Sequence, residues 1–275
     1  MSPLHALQAA TLNAATQLGR ADLGLIAPGR RADIAVFKGL RDFEATHVWT
    51  NGKPYHDPTP DIAVPPALLN TVQVKELTAD DFRIRASGTT ARLDIIENPR
   101  FTQWGHQDVA VQNGFALCPP HMTRMAVVNR FGRHSPVRLA FLGEWGQWNG
   151  AFATTVAHDA HNLSVFGGDE ANMALAANRA RELGGGLVVV KDGKVLAELA
   201  LPVAGLISLA PSAEIAAEFQ AVRAAMDQIV IWKPPLLVFK ACFGASLVCN
   251  AGPHLSDLGI VDTTTGQKLR YGADG

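Results

Sequence analysis

The stretch Gly150-Ala-Phe-Ala-Thr-Thr-Val-Ala-His158-Asp159-Ala160-His161-Asn162-Leu-Ser-Val-Phe-Gly167 decides how the rest of the chain is interpreted. Its two apolar runs, Ala151–Ala157 and Leu163–Phe166, are rich in β-branched and aromatic residues and predict adjacent strands. Between them stand two imidazoles, a carboxylate and a carboxamide within five positions. Polar groups beside a core are costly unless each has a partner. The turn is therefore the first candidate for chemistry.

Regular elements are predicted on both sides of this stretch. Asp169 is placed to cap a helix that runs to about Leu183 and ends at Gly184-Gly185-Gly186. Asp192-Gly193 then predicts a type I′ hairpin. Further predictions are strands over 124–129 and 137–142, a helix capped by Ser212 that runs to about residue 226, and an apolar segment over 236–248 after Pro234-Pro235. Strands and helices in this order indicate a mixed α+β region.

The first fifty residues have a different character. Ser2 as N-cap and Pro3 at the first helical position predict a helix to Leu18. Its apolar stripe is formed by Leu4, Leu7, Thr11, Ala14 and Leu18. A helix with an apolar face packs on something, so we expect the chain to begin inside a larger fold. A turn at Pro28-Gly29 and strands over 34–37 and 47–50, the second followed by an Asn51-Gly52 turn, come next.

Composition narrows the class of protein. The chain has 24 Lys and Arg against 25 Asp and Glu, a net charge of −1, and 48% hydrophobic residues. Without a basic stripe we expect no nucleic-acid partner, and without a long apolar run no membrane span. The N-terminus lacks the pattern of a signal peptide. The three scattered cysteines form no Cys-x-x-Cys and fit reduced thiols, so a cytoplasmic location is expected.

Several pieces of the chain together resemble the C-terminal domain of bacterial adenine deaminases. The pieces are Ala126–Gly132, Trp145-Gly146 with Gly150-Ala151, His158–Asn162, Met173–Arg179, Gly184–Gly186, Asp192–Lys194 and Leu201–Leu206. Two earlier pieces, Ala10–Ala15 and Gly24–Ile34, resemble the last barrel helix and the small β-sandwich of amidohydrolases.

The resemblance implies an α+β fold: a remnant of an amidohydrolase barrel and β-sandwich, followed by a mixed α+β C-terminal domain. The predicted boundaries are 1–20 for the barrel-helix remnant, 21–56 for the β-sandwich segment, 57–67 for a Pro- and Asp-rich linker and 68–275 for the C-terminal domain.

The resemblance also implies an activity, the hydrolysis of adenine to hypoxanthine and ammonia, with a divalent metal (Mn, Fe or Zn) in the whole enzyme. Adenine is then the substrate, and a barrel half or a second copy of the chain is a possible partner. The family's His-x-His metal ligands are absent from this sequence. We therefore expect the chain alone to be inactive. The alternatives are a non-catalytic structural or ligand-binding module and one half of a split deaminase.

Three interpretations of the turn stay open at this point. In the first, Asp159 and Asn162 hold the backbone of a purely structural turn. In the second, His158, Asp159, His161 and Asn162 face the barrel and close it over the purine. In the third, His158 and His161 bind an independent metal ion.

Other polar residues are weaker candidates. Glu144 beside Trp145 is a further candidate for the pocket, because a carboxylate next to an aromatic wall suits a base. Arg130, Arg133 and His134 are interpreted as a solvated basic patch.

Overall fold

The computed structural model of the chain describes residues 1–55, 63–99, 101–133, 135–232 and 236–269. The chain divides into two compact units, and the division follows Ala63. This point lies inside the range predicted as a linker, 57–67, of which residues 57–62 are outside the described ranges. Pro234 and Pro235, predicted to interrupt the chain, are also outside them.

The N-terminal unit opens with a helix interrupted by a π turn. Helix α1 is Pro3–Gln8, the π segment is Ala9–Asn13 and helix α2 is Ala14–Gln17. The predicted cap is confirmed, because the Ser2 side chain accepts a hydrogen bond from the backbone of His5. The hydroxyls of Thr11 and Thr16 donate to carbonyls four residues earlier. Such back-bonding bends helices and accompanies the wider turn here.

The predicted apolar stripe of this helix is only partly covered by the described residues. Leu4 and Leu18 are 65% and 73% exposed, whereas Ala15 is buried. The reason is the close approach of Gly24, where an added Cβ would lie 2.7 Å from the Ala15 Cβ. Gly24 has a φ of +81°, a conformation that glycine adopts readily. The helix therefore packs on its own following loop through a different side.

A three-stranded antiparallel sheet completes the N-terminal unit: β1 (Ile34–Phe37), β2 (Ala45–Thr50) and β3 (Lys53–Pro54). Asn51 and Gly52 both have positive φ, +51° and +73°, as a type I′ turn requires. The predicted hairpin is confirmed. The Asp33 carboxylate accepts the Asn51 amide at 2.8 Å and fixes the turn against β1.

The described part of the C-terminal unit is built on a nine-stranded sheet with strand order β13-β12-β10-β11-β7-β8-β4-β5-β6. Neighbouring strands are antiparallel except β4 and β8. The strands are β4 (Thr90–Glu97), β5 (Gln103–Gln112), β6 (Phe115–Ala116), β7 (Thr123–Val128), β8 (Arg138–Gly143), β10 (Ala151–Thr154), β11 (Leu163–Gly167), β12 (Gly186–Lys191) and β13 (Lys194–Ala200).

Both faces of the central strands of this sheet are covered, which explains their uninterrupted apolar runs. One face packs on α3 (Glu170–Glu182), whose inward side is formed by Met173 and a row of alanines. The other face packs on α4 (Ser212–Ile229) and α5 (Leu236–Gly244). Alternate residues of β10 divide accordingly: Ala151 and Ala153 belong to the first core, Phe152 to the second.

Smaller strands also belong to the described part of this unit. Strands β9 (Gln147–Trp148) and β14 (Val230–Ile231) pair with each other, and β15 (Pro253–Ser256), β16 (Gly259–Asp262) and β17 (Gln267–Leu269) form a meander. Ser212 is the first residue of α4 and Pro211 is its N-cap, so the predicted Ser212 cap is wrong. The caps of α3 are as predicted, because Asp169 accepts the Asn172 amide at 2.8 Å.

The mixed α+β fold is thus confirmed. In the ranges that the structure describes, no helix is both long and apolar enough to cross a lipid bilayer. The three cysteines are free.

Candidate functional site

The polar turn over 158–162 joins β10 to β11 at one end of the nine-stranded sheet. Strand β10 ends at Thr154, three residues before the predicted end. The cause is local, because Thr154 Oγ1 accepts the Val156 amide at 2.9 Å and turns the chain out of the sheet. The turn therefore begins earlier and is longer than the sequence predicts.

The backbone of the turn is tied to its surroundings at several points. The His158 amide donates to the carbonyl of Phe243 at 2.9 Å, and the Ser246 hydroxyl donates to the carbonyl of His158 at 2.9 Å. The His161 amide donates to Ala157 at 2.8 Å. Helix α5 and the residues after it therefore hold one side of the turn.

Arg130 holds the turn at a second point, the carbonyl of His161. Its Nε donates to the carbonyl of His161. The residue is only 2% exposed, so its assignment to a solvated patch is wrong. Arg133 is exposed, and His134 lies outside the described residues. The periodicity of the sequence gave no sign of this burial, because Arg130 follows the end of β7 and contacts residues far away in the chain.

Thr155 joins the turn to two further segments. Its hydroxyl donates to the carbonyl of Gly205 at 2.5 Å and accepts the Gly186 amide at 2.8 Å. Gly185 also approaches Gly205, since a Cβ on Gly185 would lie 2.5 Å from the Gly205 Cα. The glycine triplet was predicted only to end a helix. It also lets the segment after the helix approach the 203–207 loop closely.

The side chains of the turn point in different directions. His158 and Asp159 are exposed, and His161 is half-buried. The two imidazole rings are 5.3 Å apart between centroids, at 72° to each other. Burial lowers the pKa of His161, and the nearby His158 and Arg130 lower it further, against the opposing effects of Asp159 and the Thr155 backbone. His161 is therefore mainly neutral at pH 7.

Asp159 and Asn162 do not hold the backbone of the turn as the first interpretation required. Asp159 accepts a hydrogen bond from the exposed Cys249 thiol at 3.4 Å, which raises the pKa of that thiol. Asn162 is 5% exposed, and its Oδ1 has no partner within the described residues. The same holds for the buried Nδ1 of His161 and Oγ of Ser164. Anchoring is done by Arg130, Thr155 and Ser246 instead.

Glu144 lies at the other end of the sheet. Leu142, two residues before it, pairs with Thr123 at the start of β7, whereas Leu163 pairs with Val128 at the end of β7. Five residues of strand correspond to roughly 17 Å. Trp145 and Trp148 are buried in the core and present no aromatic wall to solvent. The structure thus brings together the four turn residues and separates Glu144 from them.

The turn and its surroundings provide few possible ligands for a metal ion. Over the described residues, no group of three or more His, Cys, Asp or Glu side chains is arranged to hold one. His158 and His161 by themselves would provide two of the three or four protein ligands of a usual site.

A cavity of about 320 Å³ lies near the end of the sheet at which the turn over 158–162 lies, but the turn does not line it. Four of the charged side chains that line it form two ion pairs, Arg83 with Asp80 at 3.0 Å and Lys75 with Asp81 at 3.9 Å. None of residues 158–162 lines it.

Comparison with known families gives two matches. The family described as "Adenine deaminase C-terminal domain" matches residues 99–267, which include the turn, Arg130 and the 203–207 loop. The family described as "Amidohydrolase family" matches residues 1–55, the range of the helix and the three-stranded sheet.

Curated relatives extend this similarity over almost the whole chain. "Adenine deaminase 2" of Rhizobium meliloti is 55% identical over 96% of the chain, and "Adenine deaminase 2" of Agrobacterium fabrum is 49% identical over 98%. "Adenine deaminase" of Klebsiella pneumoniae is 44% identical over 94%. The matched region makes up 46%, 46% and 45% of these relatives. The chain thus spans about half their length.

Proposed function

The chain belongs to the adenine deaminase C-terminal domain family, and we propose that it forms the C-terminal portion of a hydrolase that converts adenine and water into hypoxanthine and ammonia. Support comes from the relatives named adenine deaminase, which match almost all of the chain. The amidohydrolase match over residues 1–55 supports a second statement: the N-terminal unit is the end of a barrel and its small β-sandwich.

The divalent cation implied by this family (Mn, Fe or Zn) does not fit the residues described. No group of three possible ligands is present among them, and the His-x-His pair is absent from the sequence. We place the metal ligands in the part of the relatives that this chain does not match.

The turn over 158–162 is the part of this chain that we assign to the purine site. Its backbone is fixed by hydrogen bonds from three directions, while His158 and Asp159 remain exposed. A rigid backbone with outward polar side chains is suited to close a cleft and to orient a ligand. The observation that carries the proposal is this anchoring, which presents the exposed His158 and Asp159 side chains on a fixed backbone.

The available groups match the chemistry of a purine edge. Adenine presents ring nitrogens that accept hydrogen bonds and an exocyclic amine that donates them. A neutral imidazole can both donate and accept, and a carboxylate accepts. His161 is kept mainly neutral by its surroundings. We assign His158, Asp159 and His161 to binding the base and excluding water, and Asn162 to supporting them from inside.

A chimaera tests the proposal directly. The C-terminal part of the Rhizobium meliloti relative is replaced by this chain, which is 55% identical to it. We expect a folded, metal-bound protein that releases hypoxanthine and ammonia from adenine. The parental enzyme is the positive control, and the parental barrel part alone is the negative control.

The outcomes separate the alternatives. A chimaera that folds, binds the parental amount of metal and turns over no adenine contradicts the proposal. Turnover by this chain alone, above a blank with metal ions only, contradicts the placement of the metal ligands elsewhere. Turnover on mixing the chain with a separately expressed barrel part supports a split enzyme.

A further inference from the structure

Arg130 is a buried cation whose partners are neutral. Its Nη1 donates to the Thr71 hydroxyl at 2.9 Å and to the Thr71 carbonyl at 3.4 Å, and its Nη2 donates to the Ala204 carbonyl at 2.9 Å. With the bond from Nε to the His161 carbonyl, all three guanidinium nitrogens donate hydrogen bonds. Among the described residues, no carboxylate is an ion-pair partner for it. Burial lowers its pKa.

Burying a charge in this way costs free energy, so the contacts that compensate for it show what the arginine does. A buried charge without a counter-ion is tolerated only when its hydrogen-bonding groups are satisfied. The planar guanidinium has donors in fixed directions, so it can join several backbone segments at set angles. Here it joins three: the segment at Thr71, the turn at His161 and the loop at Ala204.

The surroundings are shaped to the guanidinium. Gly205 has a φ of +70°, and an added Cβ there would lie 2.8 Å from the Arg130 Nη1. The ring of Phe131 covers one face of the guanidinium, 4.5 Å from Cζ to the ring centroid. The Thr155 hydroxyl holds the Gly205 carbonyl from the other side. We call the group formed by Thr71, Arg130, Thr155, His161, Ala204 and Gly205 the arginine junction.

We propose that Arg130 is a positioning residue: it sets the turn over 158–162 and the loop over 203–207 in one fixed relation, and through the His161 carbonyl it aims the polar side chains of the turn. This inference rests on the proposed function for its effect on catalysis. The tethering itself does not, and it can be measured in this chain without any substrate.

The test compares Arg130→Met with a matched control, Arg124→Met. Arg124 lies in β7 of the same sheet and is 4% exposed, but it pairs with Glu170 at 2.8 Å and with the Gly168 carbonyl. Hydrogen–deuterium exchange is measured on the full chain. For Arg130→Met we expect exchange about 10- to 100-fold faster in 156–163 and in 203–207 together, the size expected for lost charge-assisted hydrogen bonds. For Arg124→Met the increase should be confined to the region of 168–170.

Two further variants keep the test decisive if Arg130→Met does not fold. Thr71→Val removes one acceptor of Arg130 without changing the side-chain shape, and should speed exchange in both segments by a smaller factor. Arg130→Lys keeps the charge but cannot reach all three segments, and should give an intermediate result. Unchanged exchange in 156–163 and 203–207 in these variants overturns the inference.

Activity in the chimaera then separates this inference from the proposed function. We expect Arg130→Met to lower kcat/KM for adenine at least about tenfold per folded molecule, with Arg130→Lys between it and the parent. The bound metal should not change. Faster exchange with unchanged kcat/KM would mean that Arg130 positions the turn but that the turn does not serve the purine site.

Discussion

The hydroxyl of Thr155 lies 2.5 Å from the carbonyl oxygen of Gly205, fifty positions further along the chain, and the same hydroxyl accepts the Gly186 amide at 2.8 Å. One buried side-chain oxygen thus joins the end of β10, the start of β12 and the 203–207 loop. We expect Thr155→Val to lower the free energy of unfolding by about 2 to 3 kcal/mol, because two buried backbone groups lose their partner. Urea denaturation measures this loss.

Thr123→Val is the matched control for that variant. Thr123 is equally buried, but its hydroxyl makes one bond, to the Gly167 carbonyl at 3.0 Å. We expect about half the loss of stability. Equal losses in the two variants would show that the double bonding of Thr155 adds nothing.

Gly205→Ala should destabilise the chain more than its backbone conformation alone explains. The new methyl group would lie 2.8 Å from the Arg130 Nη1 and press on the arginine junction. Gly193→Ala provides the comparison, since Gly193 has almost the same φ, +71° against +70°, with no atom within 4 Å of an added Cβ. We expect about 1 to 2 kcal/mol for Gly193→Ala and clearly more for Gly205→Ala. Thermal unfolding of both variants measures the difference in stability.

Stability should fall as the pH falls below about 6.5, the ordinary pKa of histidine. The pKa values of both His161 and His254 are lowered in the folded chain, in each case first by burial. The unfolded chain therefore binds protons at a higher pH than the folded chain does, and protonation favours unfolding. The stabilisation is present above the unfolded pKa and is lost as the pH falls towards the lowered values.

Urea unfolding at several pH values between about 7 and 5 measures this effect. His161→Gln and His254→Gln should each flatten the acid side of the stability profile. His121→Gln, at an exposed histidine, is the control for the substitution itself. A wild-type stability that is constant across this range would contradict the expectation.

In the chimaera, His161→Ala should lower kcat/KM for adenine by about ten- to a hundredfold, the equivalent of one or two lost hydrogen bonds. Steady-state kinetics per folded molecule measure this. The control is His121→Ala, because that exposed residue precedes β7 at the opposite end of the sheet. If the turn is structural only, the Tm falls and kcat/KM holds.

Metal content tests the third interpretation of the turn, in which His158 and His161 bind an independent metal ion. With ligands provided elsewhere, His158→Ala and His161→Ala should retain the parental amount of bound metal in the chimaera. Elemental analysis that shows the loss of one equivalent per chain would instead establish an independent metal site at the two histidines.

Local signals in the sequence predict local structure well in this chain. The Asn51-Gly52 and Asp192-Gly193 turns are read correctly because the two residues themselves adopt the positive φ that each turn needs. The cap of α3 is likewise contained within four residues. These features depend on no distant contact.

Features that depend on distant contacts escape prediction. Strand β5 is absent from the sequence-based prediction because its exposed positions include glutamine, histidine and aspartate, and because it is formed by pairing with β4. Arginine is a residue type that is usually exposed, and only the partners of Arg130 at positions 71, 161 and 204 make its burial possible. The candidate turn was found from its residue types, but the residues that hold it were not.

The arginine junction also constrains how the chain is made. Thr71 and Arg130 leave the ribosome well before Ala204, which is 74 positions after the arginine. Until that later segment emerges, the guanidinium lacks its full set of acceptors and belongs in water. A chain that folds as it is synthesised must therefore keep the end of β7 open to solvent while strands β8 to β11, and then α3 and the β12–β13 hairpin, are added. The shape of the turn is consequently among the last properties that the nascent protein acquires.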